Sequence, residues 1–218
     1  MSIRVLVVDD HGILRAGVNL IISQADDMEV VGEAADGHEG IEVARKLKPD
    51  VVLMDISMPG LNGIDAARRI INENPQVKVL AFSAYCNRRF VKDMLKVGVL
   101  GYALKDGMAD ELVHAIREVN AGRRYLSGKV AELVVEDYIQ SSEAELCQSP
   151  LDKLSVRERE LLQLIAENKS TKEAANLLHV SIKTIDARRR NIMEKLGVSG
   201  IADLTKIAIK EGLTRLEF

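Results

Sequence analysis

Short apolar runs alternate with helical patterns over the first 120 residues of the chain. The apolar runs, each short enough for a buried strand, lie at residues 5–8, 30–34, 51–54, 77–82 and 100–104. The segments that follow them repeat apolar residues at helical spacing, at 14–22, 40–47, 64–71, 91–97 and 112–119. Five strand–helix units in succession predict an α/β fold, a doubly wound parallel sheet with helices on both faces.

The rear of the chain has a different hydrophobic periodicity, and no apolar run in it has the pattern of a strand. Two helical patterns there begin with a capping box, in which a serine and a glutamate satisfy exposed amides at a helix start: Ser155 with Glu158, and Ser170 with Glu173. A third helical run covers residues 182–196, and a fourth begins after Ser199. Four helices with a short gap between the second and third predict a small all-α helix-turn-helix domain.

These patterns divide the chain into a first domain over residues 1–122, a linker over 123–150 and a second domain over 151–218. The linker assignment rests on the weaker pattern after Gly122 and on the polar, acidic stretch QSSEAELCQSP. An alternative stays open for the first half of this linker. The helical pattern at 130–138 also fits a helix that extends the first domain and packs on it.

Composition and charge agree with a folded two-domain protein of 218 residues, 47% of them hydrophobic and 29% charged. Residues 1–150 carry 17 lysines and arginines against 23 acids, whereas residues 151–218 carry 13 against 10. An acidic front and a mildly basic rear predict different partners for the two halves. No apolar run has the length of a membrane span or a signal peptide, and the two cysteines lack metal-ligand spacing. We therefore expect a cytoplasmic protein with free thiols and no membrane partner.

Three aspartates follow predicted strands, Asp9 and Asp10 after the first and Asp55 after the third. Ligands of open parallel sheets bind beyond the carboxyl ends of the strands, where the strand order switches, so these carboxylates are expected to cluster. Two carboxylates at about 4 Å repel by roughly 4 kcal/mol at an effective dielectric of 20. Either one is protonated or a cation joins them. A hard divalent ion, Mg²⁺ foremost, fits such oxygen ligands and leaves positions for phosphate oxygens.

Asp55 in such a site is a candidate nucleophile that forms an aspartyl phosphate. The reaction also needs a cation for the phosphoryl oxygens and a hydroxyl donor. Lys105, at the end of the fifth predicted strand, and Ser83, at the end of the fourth, supply them. Each residue alone has an ordinary interpretation, but all five at successive strand ends indicate phosphoryl chemistry.

The motifs VLVVDDH, DVVLMDISMPGLNG, AFSAY and GYALKDG match, in order and spacing, those of the receiver domain of bacterial two-component response regulators, which residues 3–121 resemble. The resemblance implies a flavodoxin-like (βα)5 fold and phosphorylation of Asp55 by a sensor histidine kinase. It implies Mg²⁺ on Asp9, Asp10, Asp55 and the backbone carbonyl of Ser57, with Ser83 and Lys105 contacting the phosphoryl group. Tyr102 is then the aromatic switch residue that turns inward, into space vacated by Ser83; the alternative is a core aromatic that never moves.

The rear domain resembles the LuxR-type helix-turn-helix over residues 151–212, and with the receiver it indicates the NarL/FixJ subfamily. Helical spacing in the third rear helix directs Ile182, Ile185, Ile192 and Leu196 to the core. The opposite face carries the candidate base contacts Lys183, Ala187, Arg190, Asn191 and Glu194, with Arg190 suited to guanine and Asn191 to adenine. Candidate phosphate contacts are Thr184, Arg188, Ser170, Thr171 and Lys172.

The rear domain departs from the family at two positions, since lysine often stands where Asp186 is and histidine where Arg188 is. An acid at 186 would repel phosphate unless it accepts a hydrogen bond from cytosine. Arg189 points toward the apolar side of the helix and is expected to extend its charged end outward. The last helix pairs two DNA-binding domains in the resembling family, which implies a homodimer on double-stranded promoter DNA.

Two rival functions belong to other classes. A Mg²⁺-dependent phosphohydrolase of haloacid-dehalogenase type also forms an aspartyl phosphate, but it places its nucleophile after the first strand with a second acid two residues on. Here Asp9 and Asp10 are adjacent. The other rival is a protein-interaction module whose helix-turn-helix no longer binds DNA, and Asp186 gives it slight support. We expect a phospho-acceptor rather than an enzyme, with at most self-phosphorylation and self-dephosphorylation.

Overall fold

The front of the molecule is a parallel sheet between two layers of helices. The structure, a computed structural model, describes residues 2–141 and 149–214. Its first ten elements are β1 (Ile3–Val8), α1 (Gly12–Ser23), β2 (Met28–Ala34), α2 (Gly37–Leu47), β3 (Val51–Met54), α3 (Gly63–Glu73), β4 (Lys78–Ser83), α4 (Arg88–Val97), β5 (Gly101–Leu104) and α5 (Ala109–Asn120). The five predicted strands and five predicted helices are all present, which confirms the doubly wound α/β fold.

The sheet buries apolar side chains on both faces, as continuous apolar runs in parallel strands require. Helices α2, α3 and α4 cover one face and α1 and α5 the other, and each layer has its own apolar core. A sixth strand, β6 (Tyr125–Leu126), extends the sheet, and the strand order is β2-β1-β3-β4-β5-β6 with all neighbouring pairs parallel. The order therefore switches between β1 and β3, the strands that end at the predicted acidic site.

The predicted linker is partly structured, and this part belongs to the first domain. Strand β6 pairs with β5, and helix α6 (Gly128–Ser141) packs against α4. Val130 is fully buried in the same apolar core as α2, α3 and α4. The alternative of a helical extension therefore describes the first half of this segment, and the front unit continues past residue 122. The rest of the predicted linker, residues 142–148 with Cys147, lies outside the described residues.

The rear unit is all helical, as predicted. A short 3₁₀ helix (Pro150–Lys153) leads into α7 (Val156–Ala166), α8 (Thr171–Leu177), α9 (Ile182–Leu196) and α10 (Ile201–Lys210). Both predicted capping boxes form, Ser155 with Glu158 and Ser170 with Glu173. Across the two described ranges, no helix combines the length and apolar character needed to cross a membrane.

Candidate functional site: an acidic pocket and an exposed recognition helix

The register of the central strands brings Asp9 and Asp55 side by side. Val8 of β1 pairs with Met54 of β3, so the next residue of each strand is an aspartate. The Asp55 amide donates to the Val8 carbonyl at 2.8 Å and fixes this alignment. The two carboxylates therefore meet at the carboxyl edge of the sheet, as the sequence predicts.

Ser83 and Lys105 reach the same edge from the two neighbouring strands. Ser83 pairs with Leu104, and the Lys105 amide donates to the Ser83 carbonyl at 2.9 Å. The Lys105 ammonium lies 2.7 Å from Asp9 Oδ2 and 3.0 Å from Asp55 Oδ2. The structure thus brings the predicted lysine onto both carboxylates and places the buried Ser83 on the adjoining strand.

Burial dominates the electrostatics of this pocket. Asp9 is 1% exposed and Asp55 is 3% exposed. Burial raises the pKa of Asp55 and the charge of Asp9 adds to that rise, while Lys105 and the Ile56 amide oppose it. That amide donates to Asp55 Oδ1 at 2.7 Å. Asp55 Oδ2 contacts Lys105, so both oxygens of this carboxylate are oriented.

His11 joins the acidic pair, although the sequence analysis does not include it among the site residues. Its Nδ1 lies 2.7 Å from Asp10 Oδ1 and 3.2 Å from Asp9 Oδ1, and its amide donates to Asp9 Oδ1 at 2.9 Å. One ligand atom from each of Asp9, Asp10, His11 and Asp55 lies within 4.8 Å of all the others. The adjacency DDH just after a buried strand is the signal in the sequence that could have indicated this position.

The charge and ligand type of this cluster suit a divalent metal ion. Three carboxylates lie together in this cluster, and the Lys105 ammonium contacts two of them, those of Asp9 and Asp55. Carboxylate oxygens are the ligands that Mg²⁺ prefers. Ser57, whose carbonyl is a predicted ligand, is half-buried two residues after Asp55. The donor set therefore fits the predicted ion.

The loop between β3 and α3 is tightly closed around the acceptor aspartate. The Gly63 amide donates to the Ile56 carbonyl at 2.8 Å. A Cβ atom at Gly63 would lie 1.8 Å from the Asp55 carbonyl oxygen, a collision that only glycine avoids. The last glycine of the motif DISMPGLNG is thus needed for the close return of the loop.

Tyr102 already occupies the interior position that the sequence analysis expects only after activation. Its side chain is fully buried, and its hydroxyl donates to the Tyr85 carbonyl at 2.7 Å. Ser83 Oγ accepts a hydrogen bond from the Tyr85 amide at 3.1 Å. Burial raises the pKa of Tyr102, so its hydroxyl stays a donor. Tyr102 has no further inward turn to make from this position, and its switch role stays a prediction.

The outer face of α9 is solvent-exposed, as its spacing predicts. The exposed predicted base contacts are Lys183, Ala187, Arg190, Asn191 and Glu194. Ile185 and Ile192 are buried in the rear core, and Leu196 packs at its edge. Ile182 differs from the expectation, since 51% of it is exposed. It is the first residue of the helix and lies beyond the core that begins one turn later.

Asp186 is less repulsive toward DNA than the sequence suggests. Its Oδ1 accepts a hydrogen bond from Arg189 Nη2 at 3.0 Å, one helical turn later. Arg189 turns its charged end along the helix to this carboxylate. Arg189 therefore compensates the negative charge of Asp186 within the helix.

The predicted phosphate contacts differ in the exposure and hydrogen bonding of their side chains. Ser170 Oγ caps α8, since it accepts from the Glu173 amide at 3.3 Å and donates to the Glu173 carboxylate at 2.5 Å. Thr184 Oγ1 lies 2.8 Å from Ser181 Oγ in the cap of α9. Thr171 and Arg188 are half-buried, and Lys172 is exposed. Lys172 is thus the freest of the group.

Two family models match the chain in the order of its two units. The response regulator receiver domain matches residues 5–117, and the bacterial regulatory proteins of the luxR family match residues 152–208.

Full-length relatives have the same organisation. Response regulator GacA of Pseudomonas viridiflava is 37% identical over 211 residues, which cover 97% of each chain. Oxygen regulatory protein NreC of Staphylococcus aureus strain JH9 is 37% identical over 218 residues, covering 99% of this chain and 100% of that one. RcsB of Salmonella enterica serovar Typhimurium, bound to promoter rprA with phosphomimetic BeF₃⁻, is 27% identical with a TM-score of 0.60, over 95% of this chain and 98% of that one. Another RcsB structure contains two dimers on two parallel DNAs. This chain therefore belongs to the response regulators of the NarL/FixJ type, with a receiver domain followed by a LuxR-type DNA-binding domain.

Proposed function

We propose that this response regulator is a transcription regulator switched by Mg²⁺-dependent phosphorylation of Asp55. The phosphoryl donor is a partner sensor histidine kinase, and the phosphorylated protein binds double-stranded promoter DNA as a homodimer in the cytoplasm. The observation that carries this proposal is the cluster of the buried Asp9 and Asp55 with the half-buried Asp10, with Lys105 bound across the two buried carboxylates.

Asp9, Asp10, Asp55 and the Ser57 carbonyl would hold the metal ion. When bound, Mg²⁺ supplies positive charge that offsets both the carboxylate repulsion and the oxygens of an incoming phosphoryl group. The gathering of carboxylate oxygens from three aspartates within 4.8 Å supports this assignment, because two of these aspartates are buried and burial makes a carboxylate charge costly without a cation.

Asp55 accepts the phosphoryl group through a carboxylate oxygen. A bond forms between this oxygen and phosphorus while the bond from phosphorus to the donor imidazole breaks, and the imidazole nitrogen keeps the electron pair. Lys105 is already 3.0 Å from Asp55 Oδ2, so its ammonium can contact a phosphoryl oxygen after a small movement. The Ser83 hydroxyl at the end of β4 supplies a hydrogen bond to another oxygen.

An apolar rim beside the pocket supports a protein as the phosphoryl donor. Ile13 is 92% exposed at the start of α1, and Met108 is 78% exposed in the loop after Lys105. A groove of about 240 Å³ between α1 and α5 runs from Leu14 to Lys105. Apolar residues exposed at the entrance to a reactive site are suited to cover by a partner.

The exposed face of α9 supports DNA binding over the alternative of a pure interaction module. Asp186 favours that alternative in the sequence, and its ion pair with Arg189 removes most of this support. Arg190 and Asn191 stay exposed for base contacts and Lys172 for a phosphate contact. RcsB of Salmonella enterica serovar Typhimurium is bound to a promoter in its complex, which supports the same use of the related domain here.

Two measurements on the full-length protein test the proposal. Incubation with acetyl phosphate and Mg²⁺ is expected to add one phosphoryl group at Asp55, detected by intact-mass and peptide mass spectrometry. Binding to genomic promoter fragments is expected to tighten after this treatment and to weaken steeply with salt. Absence of phosphate at Asp55, or steady turnover of phosphate esters without a stable adduct, would contradict the phospho-acceptor role. Absence of binding to promoter fragments at low salt, with or without phosphorylation, would contradict the DNA-binding role.

A further inference from the structure

His11 stands at the start of α1 and turns its ring toward the acidic pair. It occupies the N-cap position, where a serine, threonine, aspartate or asparagine side chain usually accepts from the first helical amides, but its own side chain makes no capping bond. Ring Nδ1 lies instead 2.7 Å from Asp10 Oδ1 and 3.2 Å from Asp9 Oδ1. The imidazole nitrogen therefore faces two of the carboxylates to which we assign the metal ion.

The backbone that carries this ring is held in place. The His11 amide donates to Asp9 Oδ1 at 2.9 Å, and the His11 carbonyl accepts from the Leu14 and Arg15 amides, each at 3.1 Å. Arg15 also donates through Nη1 to the Asp9 carbonyl at 2.6 Å and through Nε to Glu33 at 3.0 Å. These contacts keep the ring beside the carboxylates, although 52% of the His11 side chain is exposed.

His11 and Lys105 approach the carboxylates at different oxygens. Lys105 contacts Oδ2 of Asp9 and Oδ2 of Asp55, whereas His11 Nδ1 lies against Oδ1 of Asp9 and Oδ1 of Asp10. In the proposed reaction Lys105 turns to a phosphoryl oxygen, and that contact makes no use of His11. The imidazole is therefore a group at the site to which the proposed reaction gives no role.

The position of Nδ1 suits a metal ligand. One ligand atom from each of Asp9, Asp10, His11 and Asp55 lies within 4.8 Å of all the others. Bonds of about 2.1 Å to a transition ion join donors that are up to roughly 4.2 Å apart, so small side-chain movements bring all four donors to one ion. Nδ1 offers its lone pair to an ion when the ring proton is on Nε2.

We propose that His11 is a nitrogen ligand of this metal site and makes the site select a divalent transition ion, of the series from Fe²⁺ to Zn²⁺, over Mg²⁺. The inference rests on the proposed phosphorylation site and names the class of ion that this site prefers. Imidazole suits Fe, Ni, Cu and Zn, whereas Mg²⁺ takes oxygen ligands and keeps several of its waters. Mg²⁺ therefore binds the same carboxylates more weakly and gains little from the imidazole.

A preference in the wild type does not by itself identify the nitrogen ligand. Affinity rises along the first-row series for most sites, including sites with oxygen ligands alone. The decisive quantity is the change in preference when the imidazole is removed. A ligand role lowers the affinity for the transition ion selectively, whereas a role in orienting Asp10 changes the affinities for both ions together.

Metal titrations of the full-length protein test this proposal, with Co²⁺ as the probe and Mg²⁺ as the reference. His11→Asn removes the imidazole and leaves a residue that is favourable at an N-cap, so α1 is retained. Calorimetry should show Co²⁺ affinity about tenfold weaker in this variant, the lower end of the losses seen when support of a metal site is removed, and Mg²⁺ affinity changed by less than about twofold. His114→Asn, at an exposed position of α5, is the matched control and should keep both affinities.

X-ray absorption at the cobalt edge gives a second measurement that does not depend on affinity. An imidazole ligand adds scattering from the outer atoms of its ring, which carboxylates do not give. This scattering is expected in the wild type and in His114→Asn and should be lost in His11→Asn.

Three results would overturn the proposal. One is an equal change, or no change, of the two affinities in His11→Asn, which would leave His11 as at most a partner of Asp10. Another is the absence of imidazole scattering from the wild type, and the third is its persistence in His11→Asn. None of these results affects Asp55 as the acceptor, whereas failure of the wild type to bind either Mg²⁺ or Co²⁺ would contradict the proposed function itself.

Discussion

The acidic pocket and the outer face of α9 carry the chemistry of the two domains in opposite ways. In the pocket, neighbouring strands deliver Asp9 and Asp55 to one place, and both carboxylates are buried and bound. On α9, Arg190 and Asn191 are exposed to solvent. The first site is specified before any ligand arrives, whereas the geometry of the second depends on the DNA that it meets.

The largest expected effect is at the pocket. Asp55→Asn removes the nucleophilic oxygen that the strand register places beside Lys105, so phosphate incorporation from acetyl phosphate should be abolished. Intact-mass spectrometry measures the loss. Asp27→Asn, which breaks an exposed pair with Arg117, is the control and should leave incorporation unchanged. Undiminished labelling of Asp55→Asn would show that the phosphoryl group is accepted elsewhere. The acidic pocket would then not be a preformed phosphorylation site.

A second prediction concerns the core that holds α9 in place. Ile192 is fully buried on the inner face of the helix, so Ile192→Ala should lower the free energy of unfolding of the rear domain by about 2–5 kcal/mol. Chemical denaturation followed by circular dichroism measures this change. Ile201→Ala, where half of the side chain is exposed, should change it by less than about 0.5 kcal/mol. Equal losses in the two variants would mean that α9 is not anchored by its inner face.

Measurements of DNA affinity distinguish base contacts from phosphate contacts on the exposed surface of the rear domain. Arg190→Ala should cost about 1–3 kcal/mol on a preferred site and relax the preference at one base position. Lys172→Ala should weaken binding to all sequences similarly and reduce the salt slope by about 1. Titrations on preferred and scrambled duplexes at several salt concentrations measure both. If Arg190→Ala behaves like Lys172→Ala, Arg190 contacts phosphate instead of a base.

The smallest expected effect is at the ion pair within α9. Asp186→Ala breaks the pair with Arg189 at the helix surface and should change the free energy of unfolding by about 0.2–1 kcal/mol. The freed Arg189 should at the same time strengthen nonspecific DNA binding, because one negative charge has been removed. Denaturation and binding to scrambled duplex measure the two effects. Weaker binding to scrambled duplex would contradict this expectation, and weaker binding to the preferred duplex alone would indicate that Asp186 contacts a base directly.

The parts of the molecule that follow from local pattern were predictable from the sequence. Buried parallel strands appear as continuous apolar runs, so the five strands were found to within a few residues, and with them the position of Asp9, Asp55, Ser83 and Lys105. Helical periodicity in the same way identified the inner and outer faces of α9. These features depend on neighbours in the chain or on strand register.

The features that were missed depend on contacts between distant residues. Strand β6 has only two residues and no apolar run of its own, so it is visible only through its pairing with β5. Gln163 of α7 looks in the sequence like an ordinary exposed residue of an amphipathic helix, but it is fully buried and donates to the Met58 carbonyl of the first domain at 2.9 Å. His11 falls between these cases, because its position after two aspartates was visible but its orientation was not.

The pairing of β6 with β5 has a practical consequence for work on the receiver alone. A fragment cut after residue 122 would lose β6 and α6, and β5 would become an open edge with free backbone donors and acceptors. It would also uncover the apolar surface that Val130 fills. Such edges readily join strands from other molecules. Self-association of that fragment would then be a consequence of the truncation. A receiver fragment that ends after α6 avoids this artefact.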